Sequence, residues 1–186
     1  MTGTEPRPVV ISPFANERVR QWPTGNYREL IELIWREHGF PAIIVGTRAQ
    51  RAVANDLVRG LSSERIRNTC GYLSWRELTE AVDAAPYVVA NNSGVAHLAA
   101  VRGRWTLCVF SGSHAYNEWM PRGPFVVTVS RALPCSPCEL GTDRCPNNVA
   151  CMADLRPSEA FWLFDHARNS MVDMDHNADL RPDEAR

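Results

Sequence analysis

Short apolar runs alternate with longer amphipathic segments along most of the chain. The apolar runs are rich in Val, Ile and aromatic residues, which is typical of strands that are covered on both faces of a sheet. They predict strands at residues 8–14, 41–46, 66–70, 87–91, 105–110 and 125–130. The segments between and after them predict helices at residues 26–38, 49–59, 74–84, from 95 onward and 157–168. This alternation favours an α/β fold with a doubly wound, mostly parallel sheet.

The loops that follow these strands share one edge of the predicted fold. In a doubly wound sheet, ligands bind in the crevice at the carboxyl ends of the strands. The loops expected at this edge are residues 12–20, 46–50, 91–94 and 111–120. A binding site is therefore expected among the residues of these loops.

The sequence NNSGVAHLAAVRG, residues 91–103, places a tight turn between a strand and the start of a helix. Such a turn presents free backbone N–H groups and the positive end of the helix dipole, which suit a phosphate or another anion. Ser93 can cap the helix, Gly94 allows a ligand to approach the backbone, and His97 lies in the first helical turn. Many strand-turn-helix units bind nothing, so these local features also leave a purely structural role open.

Composition limits the classes of function. With 186 residues, of which 45% are hydrophobic, the chain can form one core, and we predict a single domain over residues 8–169 with an acidic, disordered tail over residues 170–186. A net charge of -1 gives no electrostatic basis for binding nucleic acid. All 20 basic residues are Arg, so phosphate contacts must come from Arg, backbone or helix ends and not from a Walker-type lysine.

The apolar runs and the N-terminal sequence bear on location. No run approaches the roughly 20 apolar residues that a membrane-spanning helix needs. Residues 1–8, MTGTEPRP, lack the apolar core of a signal peptide. The sequence therefore predicts a soluble, cytoplasmic protein without a membrane span.

Four cysteines lie close together in a loop that is rich in Pro, Gly and Asn. They are Cys135, Cys138, Cys145 and Cys151, in the spacing C-x2-C-x6-C-x5-C. Four thiols in so short a span could close a tetrahedral structural zinc site, and the first pair has the spacing of a zinc knuckle. Disulfides, iron–sulfur ligation and unliganded thiols are the alternatives that this spacing leaves open.

Two tryptophans and one loop have alternative interpretations. Trp22 and Trp75 are expected to be packing residues and not platforms for stacking a base, because large aromatic side chains are mostly buried. His114 and Glu118 could line the binding cleft or belong to an exposed loop.

Three segments of the chain occur in an order that a known family shares. ERVRQWPTGNYREL, residues 17–30, contains a basic-x-Trp-Pro sequence. CGYLSWRELTEAVDAAPYVVANNSGVAHLAA, residues 70–100, combines a Leu-Ser-x-x-Glu helix with a loop similar to Asp-(Ser/Thr)-Gly-x-x-His, and CSPCELGTDRCPNNVACM, residues 135–152, is rich in Cys. Together they resemble the heptosyltransferase-like glycosyltransferases of family 9, over about residues 9–164.

The resemblance implies an inverting GT-B glycosyltransferase, in which two Rossmann-like domains face each other across a cleft. This chain resembles the C-terminal half, which binds the nucleotide-sugar donor and needs no cofactor for its chemistry. The implied donor is ADP-heptose or a related nucleotide-sugar. The implied acceptor is lipopolysaccharide or another glycan, through which the protein would associate peripherally with a membrane. An N-terminal acceptor-binding domain that supplies the base is expected as a partner, in cis or in trans.

By position, the resemblance assigns donor contacts to individual residues. Ser12 lies near the donor phosphates. Arg20 stands where the family usually has Lys before Trp-Pro, and its permanent charge can hold a phosphate through two N–H groups. Gln50 stands in place of a Glu that contacts the ribose, and Asn92 in place of an Asp near the donor sugar and phosphates. The positions that match the family are Ser93, Gly94 and His97.

The exchange of Asp for Asn92 leaves the catalytic residue unknown. His97 is the remaining candidate for a base, although at a helix N-terminus its more natural task is to hydrogen-bond a phosphate. We therefore expect no sugar transfer by this chain alone. A non-catalytic module that binds a nucleotide or a nucleotide-sugar is the alternative to a transferase half.

Overall fold

Six strands form one parallel sheet in the computed structural model, which describes residues 6–179 and the side chains of residues 6–170. The strands are β1 (Val9–Ser12), β2 (Ala42–Ile44), β3 (Ile66–Asn68), β4 (Tyr87–Asn91), β5 (Trp105–Val109) and β6 (Val126–Val129). Their order across the sheet is β3-β2-β1-β4-β5-β6, and each neighbouring pair is parallel. The predicted doubly wound α/β fold is confirmed.

The helices lie between the strands and after the last one. They are α1 (Thr24–His38), α2 (Arg51–Val58), α3 (Trp75–Ala84), α4 (Gly94–Val101), α5 (Tyr116–Trp119), α6 (Ala150–Ala153) and α7 (Pro157–Asp179). α1 ends at Gly39, whose φ of 68° is a left-handed conformation that glycine adopts without a steric penalty. A 3-10 turn at Arg48–Gln50 forms the first part of the helix that was predicted at residues 49–59.

The last helix is longer than predicted. α7 continues past residue 168 to Asp179, because neither Gly nor Pro interrupts this part of the sequence. The predicted disordered tail, residues 170–186, therefore begins inside a helix, and its residues 180–186 lie outside the described residues. Within residues 6–179, no helix has both the length and the apolar composition to cross a membrane.

Alternate residues of the strands face opposite layers of helices. On β1, Val9 and Ile11 pack with buried residues of α1, α2 and α7, whereas Val10 packs with those of α3 and α4. All three side chains are fully buried. Because both faces of the sheet are covered, the strand sequences are continuously apolar.

The order of the strands reverses between β1 and β4. β2 and β3 lie on one side of β1, and β4, β5 and β6 lie on the other. The connections therefore leave the two central strands in opposite directions, which opens a crevice at their carboxyl ends, where open α/β sheets bind ligands. Ser12 ends β1 and Asn91 ends β4, so both residues border this crevice.

Candidate functional site

Two adjoining cavities open at the carboxyl edge of the sheet, over the crevice between β1 and β4. The larger has a volume of about 450 Å³ and the smaller a volume of about 220 Å³. Asn16, Ser93 and Gly94 line both cavities, so the two are neighbouring parts of one site. The larger cavity alone lies within the roughly 300–1,000 Å³ that is common for small-molecule sites.

The larger cavity combines an apolar lining with polar groups from the ends of the strands. Its apolar side chains are Phe14, Ala15, Val45, Leu73, Trp75, Leu78 and Val95, and its polar side chains include Ser12, Asn16, Thr47, Gln50, Thr69 and Ser74. The side-chain oxygen of Gln50 accepts the Thr47 N–H at 2.8 Å. Gln50 can therefore offer a ligand both amide N–H groups and one remaining lone pair of that oxygen.

The smaller cavity is mainly polar and lies against the first turn of α4. Besides the residues shared with the larger cavity, it is lined by Arg20, Asn92, His97 and Trp119. The structure thus brings together the residues that the sequence assigns to donor binding: Ser12 and Gln50 line the larger cavity, Arg20, Asn92 and His97 the smaller, and Ser93 and Gly94 both.

Two buried polar atoms at the smaller cavity lack a hydrogen-bond partner among the described residues, namely Arg20 Nε and Ser93 Oγ. Ser93 occupies the N-cap position of α4, but its hydroxyl does not cap the helix as expected. The Arg20 side chain is 17% exposed, and its Nη2 lies 3.5 Å from a Glu17 carboxylate oxygen. Because a buried polar group without a partner costs about 1–3 kcal/mol, both atoms favour a ligand with acceptor oxygens.

Asn91 holds the chain segment that carries Arg20, a role that sequence reasoning missed. Its side chain is fully buried, and its oxygen accepts the Trp22 N–H at 3.1 Å and the Tyr27 hydroxyl at 2.9 Å. Its amide nitrogen donates to the Pro13 carbonyl at 2.7 Å. The available signal was strand alternation, which places Asn91 on the face of β4 that packs against α1.

Comparison with known proteins shows the family of the chain. The family described as "Glycosyltransferase family 9 (heptosyltransferase)" matches residues 3–148, which is most of the chain. The chain belongs to glycosyltransferase family 9. The matched residues include all those that line the two cavities.

Curated relatives of this family 9 chain include two heptosyltransferases. The chain is 30% identical over 105 residues to lipooligosaccharide heptosyltransferase 2 of Haemophilus ducreyi. It is 26% identical over 97 residues to lipopolysaccharide heptosyltransferase 2 of Salmonella typhimurium. These matches cover 54% and 50% of this chain but only 30% and 28% of the two relatives. The similarity therefore concerns one part of each relative.

Solved glycosyltransferase structures share the fold. E. coli ADP-heptose lps heptosyltransferase II matches with a TM-score of 0.75 at 18% identity, over 91% of this chain and 49% of that one. E. coli heptosyltransferase WaaC with ADP matches with a TM-score of 0.69 at 18% identity, over 88% of this chain and 45% of that one. The iron-containing dodecameric glycosyltransferase TibC from enterotoxigenic E. coli matches with a TM-score of 0.71 at 15% identity, over 91% of this chain and 48% of that one. The chain thus spans about half the length of these proteins.

In this family 9 chain, His97 is paired with an amide and not with the carboxylate of the motif that the chain resembles. The His97 Nε2 lies 3.1 Å from the Asn92 side-chain oxygen, which can only accept, so Nε2 carries a proton. Burial lowers the pKa of His97 from its ordinary value of 6.5. His97 is therefore neutral at pH 7 and contributes hydrogen bonding to the smaller cavity without a positive charge.

Asn92→Asp should raise the pKa of His97, because a carboxylate beside the imidazole favours its charged form. NMR titration of the His97 Cε1 proton measures the shift, and His97→Gln identifies the resonance. The matched control is Asn16→Asp, which adds a carboxylate to the same cavity without the hydrogen bond to His97 and should raise the pKa less. An unchanged pKa in Asn92→Asp would show that the two side chains are not paired.

The two tryptophans expected to pack in the core differ in position. Trp22 is 1% exposed and donates its indole N–H to the Leu155 carbonyl at 2.9 Å, which confirms the prediction. For Trp75 the prediction is wrong, because this side chain is 69% exposed and lines the larger cavity. Trp75 is the first residue of α3, directly after Ser74 at the N-cap, and it lies at the rim of the site.

The four clustered cysteines are not gathered into a ligand set. Within the described part of the chain, no group of three or more His, Cys, Asp or Glu side chains is placed to hold a metal ion, and all four thiols are free. Cys151 is buried with its Sγ 3.9 Å from the Ser111 hydroxyl, whereas Cys145 and Cys135 accept hydrogen bonds from N–H donors at 3.2 and 3.4 Å. The arrangement does not support the zinc alternative, because the described thiols are not brought together around one point.

Proposed function

We propose that this domain binds the donor of a glycosyl transfer, a nucleotide-sugar, with the nucleoside in the larger cavity and the diphosphate in the smaller one. The observation that carries the proposal is the pair of buried atoms without partners, Arg20 Nε and Ser93 Oγ, at the N-terminus of α4. The helix dipole favours negative charge at the same place. A diphosphate would supply both the charge and the acceptor oxygens.

The lining of the larger cavity suits a nucleoside. Its apolar side chains can cover the faces of a base, and the exposed indole of Trp75 at the rim adds a flat aromatic surface. Gln50 reaches the cavity with its amide N–H groups, and its oxygen accepts the Thr47 N–H. Gln50 can donate these N–H groups to a ribose hydroxyl, whereas the Glu of the family motif can only accept.

The smaller cavity suits the leaving diphosphate. Arg20 is the cationic side chain among its lining residues, and its guanidinium can bond two phosphate oxygens at once. As the sugar departs, negative charge grows on the diphosphate. Arg20 and the N-terminus of α4 would stabilise that charge with groups that are already in place.

The donor class that the relatives favour is an adenosine diphosphate sugar. One solved relative is described with ADP and another with ADP-D-beta-D-heptose, and the curated relatives are named heptosyltransferases. We extend this donor class to the chain, together with a lipopolysaccharide or other glycan as acceptor. The cytoplasmic location and the peripheral association with a membrane stay predictions.

The complete reaction needs a second surface opposite this site. Inverting transfer requires a base that takes the acceptor proton on the sugar face opposite the departing phosphate. Among the described residues that line the smaller cavity, His97 has the one imidazole side chain, and its Nε2 proton is directed to Asn92. We propose that a second domain, in cis or in trans, supplies the base and the acceptor site, and that residues 1–186 alone bind the donor without transferring its sugar.

A non-catalytic nucleotide-binding module is the second candidate function. Asn92 favours it, because an amide stands where the motif of the family has a carboxylate. Addition of a complementary acceptor domain separates the two candidates. A transferase half then transfers the sugar, whereas a binding module still binds ADP and transfers nothing.

Gly94→Ala should abolish most of the affinity for ADP without destabilising the fold. Nothing lies within 4 Å of the position that a Cβ would take at Gly94, so the methyl group fits the protein but occupies space that the ligand would use. We expect at least about a tenfold loss of affinity, or ~1.4 kcal/mol, in calorimetric titration, with an unchanged or raised melting temperature.

The matched control for this variant is Gly25→Ala. Gly25 lies in the first turn of α1, also has nothing within 4 Å of a Cβ position, and lines neither cavity. Its alanine variant should bind ADP as the wild type does. Equal ADP affinity in Gly94→Ala and Gly25→Ala would contradict the proposed site.

A further inference from the structure

The short segment of residues 111–120, SGSHAYNEWM, places one large aromatic side chain in the smaller cavity. Binding of a diphosphate does not explain an aromatic side chain at this place. This side chain is Trp119, the last residue of α5. It is 50% exposed, and Arg20, Asn92 and His97 line the same cavity. Trp119 is absent from the lining of the larger cavity, so it is not placed to contact a base bound there.

A chain of contacts holds Trp119 in this position. Its ring packs edge to face with that of His114, with ring centroids 5.5 Å apart and planes at 78°. The His114 Nδ1 is hydrogen-bonded to the Ser113 hydroxyl at 2.7 Å, and Ser113 is 1% exposed. His114 is therefore held through a buried residue, whereas Glu118 is exposed, and neither of the two lines the cavities.

The same contacts tie this segment to the one that carries Arg20. The Ser113 N–H donates to the Ser111 hydroxyl at 3.1 Å, and that hydroxyl donates to the Val19 carbonyl at 2.8 Å. Val19 directly precedes Arg20 in the chain. One ring contact and a series of hydrogen bonds therefore connect the segment that carries Trp119 to the segment that carries Arg20.

We propose that Trp119 is the platform for the donor sugar, with its indole face against the C–H groups of the ring that is attached to the diphosphate. The inference rests on the proposed function. Sugar C–H groups carry partial positive charge, which the negative face of an aromatic ring attracts. Sugar hydroxyls need hydrogen-bonding partners, and the amides of Asn16 and Asn92 line the same cavity. An aromatic face beside amides and next to a phosphate site matches a sugar-diphosphate.

The test compares two ligands that differ only in the sugar, ADP and ADP-heptose, on the full chain. Trp119→Ala should weaken binding of ADP-heptose by about five- to tenfold and change the affinity for ADP by less than about twofold, because the nucleotide does not touch the indole. Trp119→Phe should retain most of the affinity for ADP-heptose. Calorimetric titration gives both constants, and melting temperatures confirm that the variants are folded.

The matched control is Trp162→Ala, because Trp162 is 63% exposed on α7 and lines neither cavity. It should bind both ligands as the wild type does. An equal loss of affinity for ADP and ADP-heptose in Trp119→Ala, or no loss of affinity for either ligand, would overturn the inference. So would a variant that binds ADP-heptose normally and loses only affinity for an acceptor glycan, since that result would assign Trp119 to the acceptor. A wild-type chain that binds neither ligand would overturn the proposed function itself, and this inference with it.

Discussion

Replacing Asn91 with leucine should lower the free energy of unfolding by about 3–5 kcal/mol. Leucine has the same branched shape and number of side-chain heavy atoms but satisfies none of the three buried groups that Asn91 serves, the Trp22 N–H, the Tyr27 hydroxyl and the Pro13 carbonyl. Each buried group left without a partner costs about 1–3 kcal/mol. Burial raises the pKa of Tyr27 well above its ordinary value, so its hydroxyl keeps a proton that needs an acceptor. Urea unfolding monitored by circular dichroism measures the loss.

Asn68→Leu is the matched control, because it makes the same substitution at the end of another strand. Asn68 also ends a strand, β3, and its side chain also makes hydrogen bonds to neighbouring groups, at 2.7–3.1 Å. It is only partly buried at the edge of the sheet, so water can replace its partners, and we expect a loss of about 1 kcal/mol. If Asn91→Leu lowered the free energy of unfolding no more than Asn68→Leu does, the result would show that Asn91 does not hold the loop between β1 and α1.

Arg20→Ala should weaken ADP binding by about 10- to 150-fold, which corresponds to the ~1.5–3 kcal/mol of a hydrogen bond to a charged group. The Arg20 side chain is mostly buried, its Nε has no partner among the described residues, and its Nη2 is 3.5 Å from Glu17. The guanidinium is therefore available to a phosphate at little further cost in conformational freedom. Calorimetric titration at fixed ionic strength measures the change.

Two variants define the role of Arg20 more closely. Arg18→Ala removes the same charge from the same 3-10 turn, but Arg18 is exposed and lines neither cavity, so ADP affinity should change by less than about twofold. Arg20→Lys keeps the charge without the planar, two-pronged geometry, and its affinity should be intermediate. Unchanged ADP affinity in Arg20→Ala would exclude Arg20 from the site.

The fold could be predicted from the sequence because its signals are local. Continuous apolar runs identify strands covered on both faces, and β4, predicted at residues 87–91, was found with the same ends. The end of α7 was predicted too early, since the polar sequence after residue 168 was interpreted as a tail although it contains no helix-breaking residue before Pro182.

The candidate site was predictable in outline but not in its contacts. The loops after the strands were expected at one edge, and the residues assigned to donor binding do line the two cavities there. The bonds of Asn91 to a loop far away in sequence, and the position of Trp119 in the same cavity as Arg20, depend on tertiary packing that no local pattern encodes. The general tendency of tryptophan to be buried gave the wrong prediction for Trp75. This residue begins a helix beside a cavity, where no other part of the described chain covers its side chain.

The most direct test of the account is calorimetric titration of residues 1–186 with ADP, GDP and UDP and with their sugars, supported by thermal shift. The account predicts saturable binding of one ADP or ADP-heptose per chain, in competition with each other, with the affinity reduced in Arg20→Ala and in Gly94→Ala. No binding heat and no thermal shift with any of these ligands at millimolar concentration would contradict the claim that this domain is a donor-binding site.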